Sequence, residues 1–370
     1  MTIEMIEIQL IASVVAAACA LPGVYLVLRQ MAMMSDAISH TVLLGIVLAF
    51  FVLEDLSNPF LIVGAALVGL LTVALTELLN KTKLVKEDAA IGLVFPALFS
   101  LAVILISVFA RNVHLDEHIV FQGDLAFAPF DRFVLFGNDL MPRTLAVMAV
   151  ILLINLAFIL LFYKELKLAT FDPGLAAALG FSPALIHYSL MGLVSVTAVG
   201  AFDAVGSILV IALMVVPPVT AYLLTDRLDK MLILSVLFGV AGAISGYWLS
   251  RWLNTNIGGA MVTMIGFIFE VVFLFAPGRG VVAIVQRRRQ QKWTFAKTAL
   301  TIHLLNHEGT PEAEEENRFD HLRRHLRWEM EFANQVVLRA QRQRLIDREN
   351  GHLVLTPEGR DRARKAMTAF

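Results

Sequence analysis

Two ionisable side chains, Asp36 and His40, lie four residues apart within a long apolar stretch. On a helix this spacing places both side chains on one face. Ionisable groups inside a membrane span are costly and by default mark an ion or substrate path. One carboxylate and one imidazole provide half of a site for a divalent cation such as Mn²⁺, Fe²⁺ or Zn²⁺. The alternative is a buried Asp–His hydrogen bond that fixes helix packing.

A second stretch combines an acidic residue with two consecutive prolines. Asp203 lies near the start of the apolar segment 206–224, where it is either the N-cap of a helix or a residue of the path. Pro217 and Pro218 lie within that segment and predict a kinked or broken helix. Transporters use the carbonyl groups freed by broken helices at their substrate sites, so Pro217 is a candidate gate residue.

The other residues that could bind metal are mostly histidines. His303 with His307, and His321 with His325, repeat the spacing of four residues near the carboxyl terminus. Four histidines within 23 residues predict a metal-sensing site in the cytosol. The alternative is that these are ordinary imidazoles on soluble helices. The stretch 114–118 holds two more histidines, but a lone H-x-x-x-H in a loop is a less specific metal motif.

The composition indicates a membrane protein with a soluble tail. The chain has 370 residues, of which 58% are hydrophobic and 16% are charged, whereas about a quarter of an average soluble domain is charged. Residues 1–279 contain 13 Lys and Arg against 19 Asp and Glu, a net charge of −6, and residues 280–370 contain 17 against 12, a net charge of +5. These values exclude an ordinary soluble enzyme, a disordered chain and, since Cys19 is the single cysteine, a disulfide scaffold.

Nine apolar segments predict membrane-spanning helices. We therefore predict an all-α polytopic membrane protein; eight spans are the alternative, if the chain between Gly200 and Gly206 forms one broken span. The first segment lacks a basic n-region and a cleavage site, so it is predicted to be a retained span and not a signal peptide. The segments are 8–28, 31–53, 59–79, 89–110, 144–163, 184–200, 206–224, 231–249 and 259–276.

Basic residues in the short connections predict the orientation of the chain. If nine spans are present, five connections with Lys or Arg, from Arg29 to the run 287–289, fall on one side of the membrane. The cytoplasmic side carries the excess of such residues. The amino terminus is therefore predicted to lie outside and the tail in the cytoplasm.

The cytoplasmic connection at residues 164–180 is amphipathic and longer than a simple turn. Asp172 precedes Pro173 and Gly174 and is a good N-cap for a short helix. A short helix outside the membrane offers a contact for another protein; the alternative is a surface helix that packs on the membrane body. No segment fits G-x-x-x-x-G-K-[ST], so any energy from ATP must come from a second subunit.

The tail is predicted to form a small domain after a basic segment. The predicted boundaries are 1–280 for the transmembrane domain, 281–292 for a basic juxtamembrane linker and 293–370 for the cytoplasmic domain. The elements predicted in the cytoplasmic domain are helices at 293–307 and 318–345, an acidic linker between them, a turn at Asn350-Gly351, a strand at 352–356 and a final helix.

Four stretches of the body resemble permease subunits of the bacterial metal-type ABC importers, the ABC-3 family. The resemblance covers roughly residues 10–280, and the order and spacing of the stretches make it specific. Ser35 and Leu44 depart from the family pattern, which usually has Gly and Pro there. Loss of that proline can change how Asp36 and His40 face the path, but it does not remove the ligands. The stretches are Met34–Gly45, Glu87–Gly92, Tyr163–Leu166 with Phe171–Asp172 and Ala178–Gly180, and Asp203–Ala221.

The resemblance implies a transport subunit that performs no covalent chemistry and holds no permanent cofactor. Asp36 and His40 would line the path of transported Mn²⁺, Fe²⁺ or Zn²⁺, and residues 164–180 would dock on a cytoplasmic ABC ATPase dimer. A second permease chain, identical or paralogous, would complete the path. An extracytoplasmic lipoprotein would deliver the metal to this bacterial inner-membrane complex. The coupling residues that the resemblance implies are Lys164, Glu165, Leu166, Phe171, Asp172 and Gly180.

The end of the tail resembles a different family. The run from Gly351 to Arg360 is similar to the wing and following turn of winged-helix regulators, including iron- and manganese-dependent repressors. This implies a small α+β winged-helix-like domain with a regulatory role. Nucleic acid is not the expected partner, because Arg-rich stretches interspersed with Glu are more often a solvated face. Two other functions stay open: an autonomous ion-coupled metal carrier, and a membrane-tethered metal-responsive regulator.

Overall fold

The computed structural model describes residues 3–54, 60–109, 125–135, 138–349 and 351–368. The chain divides into two compact units, Met1–Arg279 and Gly280–Phe370. The candidate metal stretch 114–118 lies outside the described residues.

The first unit is a bundle of long apolar helices. Within the described ranges, nine helices are long and apolar enough to cross a membrane, so the predicted polytopic body is mostly helical and has nine candidate spans. A short antiparallel hairpin, not predicted from the sequence, precedes the fifth of these helices. The elements are α1 (Ile3–Leu28), α2 (Ala32–Leu53), α3 (Leu61–Lys81), α4 (Glu87–Phe109), β1 (Arg132–Leu135), β2 (Asn138–Pro142), α5 (Arg143–Leu161), α6 (Tyr163–Phe171), α7 (Pro173–Ala178), α8 (Pro183–Val205), α9 (Ser207–Leu224), α10 (Leu228–Leu253) and α11 (Ile257–Phe275).

Helices α8 and α9 are separated at Gly206 and not at the prolines. Gly206 has a φ of 76°, a backbone conformation that favours glycine. The prediction that Asp203 caps the following helix is wrong: its backbone lies in the last turn of α8, and Gly206 is the N-cap of α9. The prediction that Pro217 and Pro218 break their helix is also wrong, since α9 runs through both. Both prolines are buried, so tertiary packing overrides their low helix propensity.

Helix α1 lies at the centre of the first unit. In its most apolar stretch 78% of the residues are buried, more than in any other candidate span that the structure describes. A Cβ atom on Gly23 would overlap the main chain of Met214 in α9. Asn155 of α5 donates hydrogen bonds to the Ala18 carbonyl at 2.9 Å and to the Thr197 hydroxyl at 3.0 Å. Small residues and buried polar side chains therefore hold the helices together, as is usual within lipid.

Helix α2 packs closely on α3. The Thr72 hydroxyl donates a hydrogen bond to the Thr41 hydroxyl at 2.8 Å, and both side chains are buried. A Cβ atom on Gly45 would overlap the main chain of α3 at Ala65. Because α2 cannot rotate without breaking these contacts, the direction of the neighbouring His40 side chain is set by the packing of two helices.

The second unit is a small domain of helices and one hairpin. Its two strands are antiparallel, with Ile346 opposite Leu355. One core of apolar side chains joins the helices to the hairpin and includes Leu300, Val336 and Leu353. The elements are α12 (Val281–His307), α13 (Ala313–Glu316), α14 (Phe319–His325), α15 (Met330–Arg342), β3 (Ile346–Glu349), β4 (His352–Leu355) and α16 (Pro357–Thr368).

Parts of this unit differ from the sequence-based prediction. Helix α12 begins at Val281, so the predicted juxtamembrane linker 281–292 is helical. The predicted helix 318–345 is wrong: this range is two helices, α14 and α15, followed by a turn at 343–345 that precedes strand β3. Arg327 has a φ of 52° and turns the chain, and the ring of Trp328 then packs edge-on against Phe332 at 5.6 Å. The apolar pattern continues across the turn, so periodicity alone did not reveal it.

Candidate metal path and coupling surface

Asp36 and His40 lie side by side in the first half of α2. Asp36 Oδ1 is 3.5 Å from His40 Nε2, as the spacing of four residues on a helix requires. About a third of each side chain is exposed, 35% for Asp36 and 36% for His40. A buried pair that only fixes helix packing does not fit these exposures.

Two aromatic rings of α4 border the His40 imidazole. The ring of Phe95 stacks on it with 5.3 Å between centroids and 25° between planes. Phe99 meets it edge-on with a centroid distance of 6.1 Å. Such contacts stabilise one orientation of the ring. Helix α4 therefore covers one side of the Asp36–His40 pair, while part of each side chain stays exposed.

The exposed pair lies within a helix that is long and apolar enough to span a membrane. Ionisable side chains in such helices face a bundle interior, a water-filled cavity or a partner, and not lipid. The surface of this single chain around Asp36 and His40 thus requires a polar neighbour. With oxygen and nitrogen donors exposed, the pair can coordinate a divalent cation together with ligands from outside this chain.

The other two candidate path residues lie in helices α8 and α9. Pro217 is buried within α9, so its ring takes part in the packing of the bundle. Asp203 belongs by its backbone to the last turn of α8, beside the break at Gly206. Pro217 is therefore not an exposed member of the predicted set.

The predicted coupling segment folds as two short helices. The Asp172 carboxylate accepts a hydrogen bond from the backbone N–H of Leu175 at 2.9 Å, so it caps α7 as its sequence context predicts. Gly180, just beyond α7, has a φ of 89°. Leu166 is fully buried and anchors α6 to the membrane unit.

An apolar surface of α6 and α7, formed by Phe171, Leu175 and Leu179, points away from the core. These side chains are 60%, 47% and 61% exposed, although they lie outside the candidate spans. Lys164 is exposed nearby in sequence and Glu165 is half-buried. Exposed apolar side chains outside the candidate spans favour a protein–protein contact at this segment.

A cleft of about 530 Å³ adjoins this segment. Arg227 and Asp229 form an ion pair of 2.9 Å in its wall, and Phe171 belongs both to the cleft and to the apolar surface. The cleft therefore combines charged and apolar groups, as docking sites for protein side chains do. It is lined by Tyr163, Lys167, Phe171, Asp226, Arg227, Leu228 and Asp229.

A chain of polar contacts connects α6 to three membrane helices. Arg29, directly after α1, donates to the Thr170 hydroxyl at 3.2 Å and to His187 Nδ1 at 3.2 Å. His187 Nε2 lies 2.7 Å from Glu77 Oε1, and the Tyr188 hydroxyl donates to Glu77 Oε2 at 2.6 Å. Burial lowers the pKa of Arg29, which still stays charged at neutral pH because a guanidinium starts from a very high value. We call these five residues the Arg29 network.

In the second unit the four predicted histidines gather at one place. Ring centroids are 4.6 Å apart for His303 and His307, and 5.1 Å apart for His303 and His325. The sequence prediction missed Glu316, whose Oε2 lies 3.0 Å from His321 Nδ1 and 3.7 Å from His303 Nε2. Burial lowers the pKa of His303, so its neutral ring is favoured near neutral pH.

The membrane unit matches a known family. Residues 2–276 match the ABC 3 transport family. The chain belongs to this family. It is a membrane permease subunit of an ABC transporter, as the four stretches predict. Almost all of the second unit lies outside the matched range, so the family assignment rests on the membrane body.

Relatives of this ABC-3 permease include named metal transport proteins. The zinc transport system membrane protein TroD of Treponema pallidum is 48% identical over 95% of this chain and 96% of its own. The manganese transport system membrane protein MntD of Bacillus subtilis is 50% identical over 72% of this chain and 90% of its own. The solved structure of PsaBC from Streptococcus pneumoniae aligns with a TM-score of 0.62 and 28% identity, and covers 75% of this chain and 94% of the matched chain. The TroD match extends into the second unit.

Sequence reasoning did not identify the Arg29 network of this permease. Arg29 and His187 are 158 residues apart, and Arg29 and Thr170 are 141 apart, so no local pattern joins them. One signal was available, because Glu77 and His187 lie within predicted spans, where ionisable residues are expensive.

Proposed function

We propose that this permease conducts divalent transition-metal ions, manganese, iron or zinc, into bacterial cells. The observation that supports this proposal most directly is the Asp36–His40 pair. About a third of each side chain is exposed within a candidate membrane helix, and aromatic rings border the imidazole. The names of relatives support it, since they describe zinc, manganese and chelated iron transport systems. The permease itself catalyses no reaction and binds its metal only as cargo.

The exposure of the pair supports an assembly of two permease chains, identical or paralogous. Asp36 and His40 of each chain would face one shared path and coordinate the cation transiently. An extracytoplasmic lipoprotein delivers the metal to this path. The match to PsaBC fits such an assembly of membrane subunits.

A separate cytoplasmic ATPase dimer supplies the energy by docking on α6 and α7. The apolar surface formed by Phe171, Leu175 and Leu179 supports this contact, since burial of exposed apolar area stabilises an interface. Lys164, Glu165 and the cap at Asp172 position the segment, and Gly180 ends it. ATP-driven movement of α6 reaches the membrane helices through Arg29.

Substitution of the pair tests the proposal. We expect that Asp36→Ala and His40→Ala each abolish accumulation of radioactive manganese, iron or zinc in cells that lack other importers. Ser39→Ala is the matched control on the same helix, because the Ser39 hydroxyl bonds to the Ser35 carbonyl of its own helix. Membrane abundance of each variant is measured by immunoblot. Uptake at the wild-type rate in both pair variants would refute the path assignment.

For the second unit we propose a winged-helix-like fold with a regulatory role. The order of elements supports this: α12, α14 and α15 are followed by the hairpin β3–β4 and then α16. The resemblance of Gly351–Arg360 to a wing falls on β4 and the start of α16. Its position after a membrane body favours regulation of transport over binding of nucleic acid.

A further inference from the structure

We propose that His303, His307, Glu316 and His321 bind one divalent transition-metal ion in the second unit. Donor atoms of His303, His307 and Glu316 all lie within 4.8 Å of one another. His321 Nδ1 adds a fourth donor, 3.0 Å from Glu316 Oε2. Three imidazole nitrogens and one carboxylate oxygen form a donor set that suits zinc and also accepts manganese or iron.

Three of the four proposed donor atoms are buried and lack a hydrogen bond. The His303 side chain is only 7% exposed. In the part of the chain that the structure describes, His303 Nε2, Glu316 Oε2 and His321 Nδ1 are each buried without a hydrogen bond. Buried polar atoms are costly when unsatisfied. A cation at their centre would satisfy all three atoms at once.

The carboxylate of Glu316 lies between two of the imidazole rings. Its Oε2 atom is 3.0 Å from His321 Nδ1 and 3.7 Å from His303 Nε2. The ring of His325 lies 5.1 Å from that of His303, but an imidazole provides no negative charge to His303 or His321. One metal ion bonded to three rings and the carboxylate uses each donor once.

The spacing requires only a small closure. A tetrahedral zinc site with bonds of about 2.0–2.1 Å holds its donor atoms roughly 3.4 Å apart. Donor atoms of His303, His307 and Glu316 lie within 4.8 Å of one another, and His321 Nδ1 lies 3.0 Å from Glu316 Oε2, so changes in side-chain torsion angles can bring these donors together. The ligands come from α12, α13 and α14, and a bound ion would therefore link three helices that only short turns connect.

This site gives the second unit a means to respond to imported metal, a role that rests on the proposed transport function. Metal that accumulates in the cytosol would bind the cluster and tie α14 to α12. We expect the bound state to slow further uptake. The binding site itself does not depend on this role and is tested separately.

Cobalt(II) titration of the purified full-length permease tests the site. We use Asp36→Ala/His40→Ala as the parent so that the candidate path does not contribute. We expect the parent to bind one Co²⁺ per chain with the visible absorption of tetrahedral Co²⁺, and Zn²⁺ to displace it. Glu316→Gln and His307→Gln, each added to the parent, should weaken binding by at least about tenfold. His352→Gln in strand β4 is the matched control and should bind as the parent does.

The outcomes separate the site from the transport proposal. Glu316→Gln keeps the size of the side chain and His307 is only half-buried, so at least one variant should keep the thermal unfolding of the parent. Parent-like cobalt binding in both variants would overturn the site. The feedback role is tested by uptake at high external metal, with Glu316→Gln placed in the otherwise wild-type chain. If cobalt binding supports the site but this variant takes up metal no faster than the wild type, the feedback role is refuted. Loss of uptake in Asp36→Ala bears only on the transport proposal.

Discussion

At the scale of single residues, exposure decides what Asp36 and His40 can do. A fully buried pair would satisfy itself and serve packing, whereas these side chains are each a third exposed. Metal binding needs a neutral imidazole and an ionised carboxylate, and their separation of 3.5 Å lets both face one ion. The stacking of Phe95 on His40 holds the imidazole in one orientation relative to the Asp36 carboxylate.

Removal of the stacked ring should weaken metal binding without removing a ligand. We expect Phe95→Leu to raise the KM for metal uptake about two- to tenfold, because an aromatic pair contributes about 0.5–1.5 kcal/mol and 1.4 kcal/mol corresponds to a factor of ten. The measurement is initial uptake rate against metal concentration. Phe109→Leu, at the far end of α4 where the ring is 71% exposed, is the control. An unchanged KM in Phe95→Leu would show that the stacking does not orient the ligand.

At the scale of helices, the Arg29 network links the predicted coupling segment to the membrane bundle. Thr170 lies on α6, Arg29 follows α1, His187 lies in the second turn of α8, and Glu77 lies near the end of α3. The His187 and Glu77 side chains are only 13% and 24% exposed, so water competes weakly for their contacts. A displacement of α6 must therefore either move α1, α3 and α8 or break these contacts.

Disconnection of this network should uncouple ATP hydrolysis from transport. We expect Arg29→Gln and Glu77→Gln to lower the metal imported per ATP hydrolysed by roughly tenfold, since a hydrogen bond to a charged group contributes about 1.5–3 kcal/mol. The assay uses the complete transporter in liposomes and measures both quantities. Lys81→Gln is the control. Lys81 also forms an ion pair with Glu77, at 3.6 Å, but its side chain is 73% exposed, so solvent weakens that contact. Unaltered coupling in both network variants would contradict the role.

At the scale of the whole molecule, the chain joins a charge-poor membrane unit to a basic second unit. The near-zero net charge of −1 conceals this division. The family match covers the membrane unit alone, whereas the match to TroD covers 95% of the chain. The second unit is therefore an addition to the transport body that at least one relative shares.

The orientation of the membrane unit can be tested at the two ends of α10. This helix has 26 residues, about 39 Å at 1.5 Å per residue, so its ends lie on opposite sides of the bilayer. We expect a membrane-impermeant maleimide to label Thr255→Cys in intact cells and Lys230→Cys only after permeabilisation. The wild-type chain is the control, since its single Cys19 is buried. Labelling of Lys230→Cys in intact cells would invert the predicted orientation.

Local patterns determined most of the elements and one pair of site residues. Apolar runs set the nine spans, the spacing of four placed Asp36 beside His40, and the run from Asp172 to Gly174 set the cap and start of α7. These features depend on neighbours a few residues away, so the sequence contains them directly. The same reasoning failed at Pro217, which is buried within a continuous α9, and between α14 and α15, where Arg327 turns the chain with a φ of 52°.

Only the tertiary structure decided which distant groups meet. The sequence showed four histidines in the second unit, but the fold brought Glu316 between them and buried their unsatisfied atoms. It likewise joined Arg29 to His187 across 158 residues, and it left Asp36 and His40 exposed instead of buried. Contacts of this kind depend on how whole helices pack against one another. Hydrophobic periodicity shows only which face of each helix is buried, and not which helix covers it.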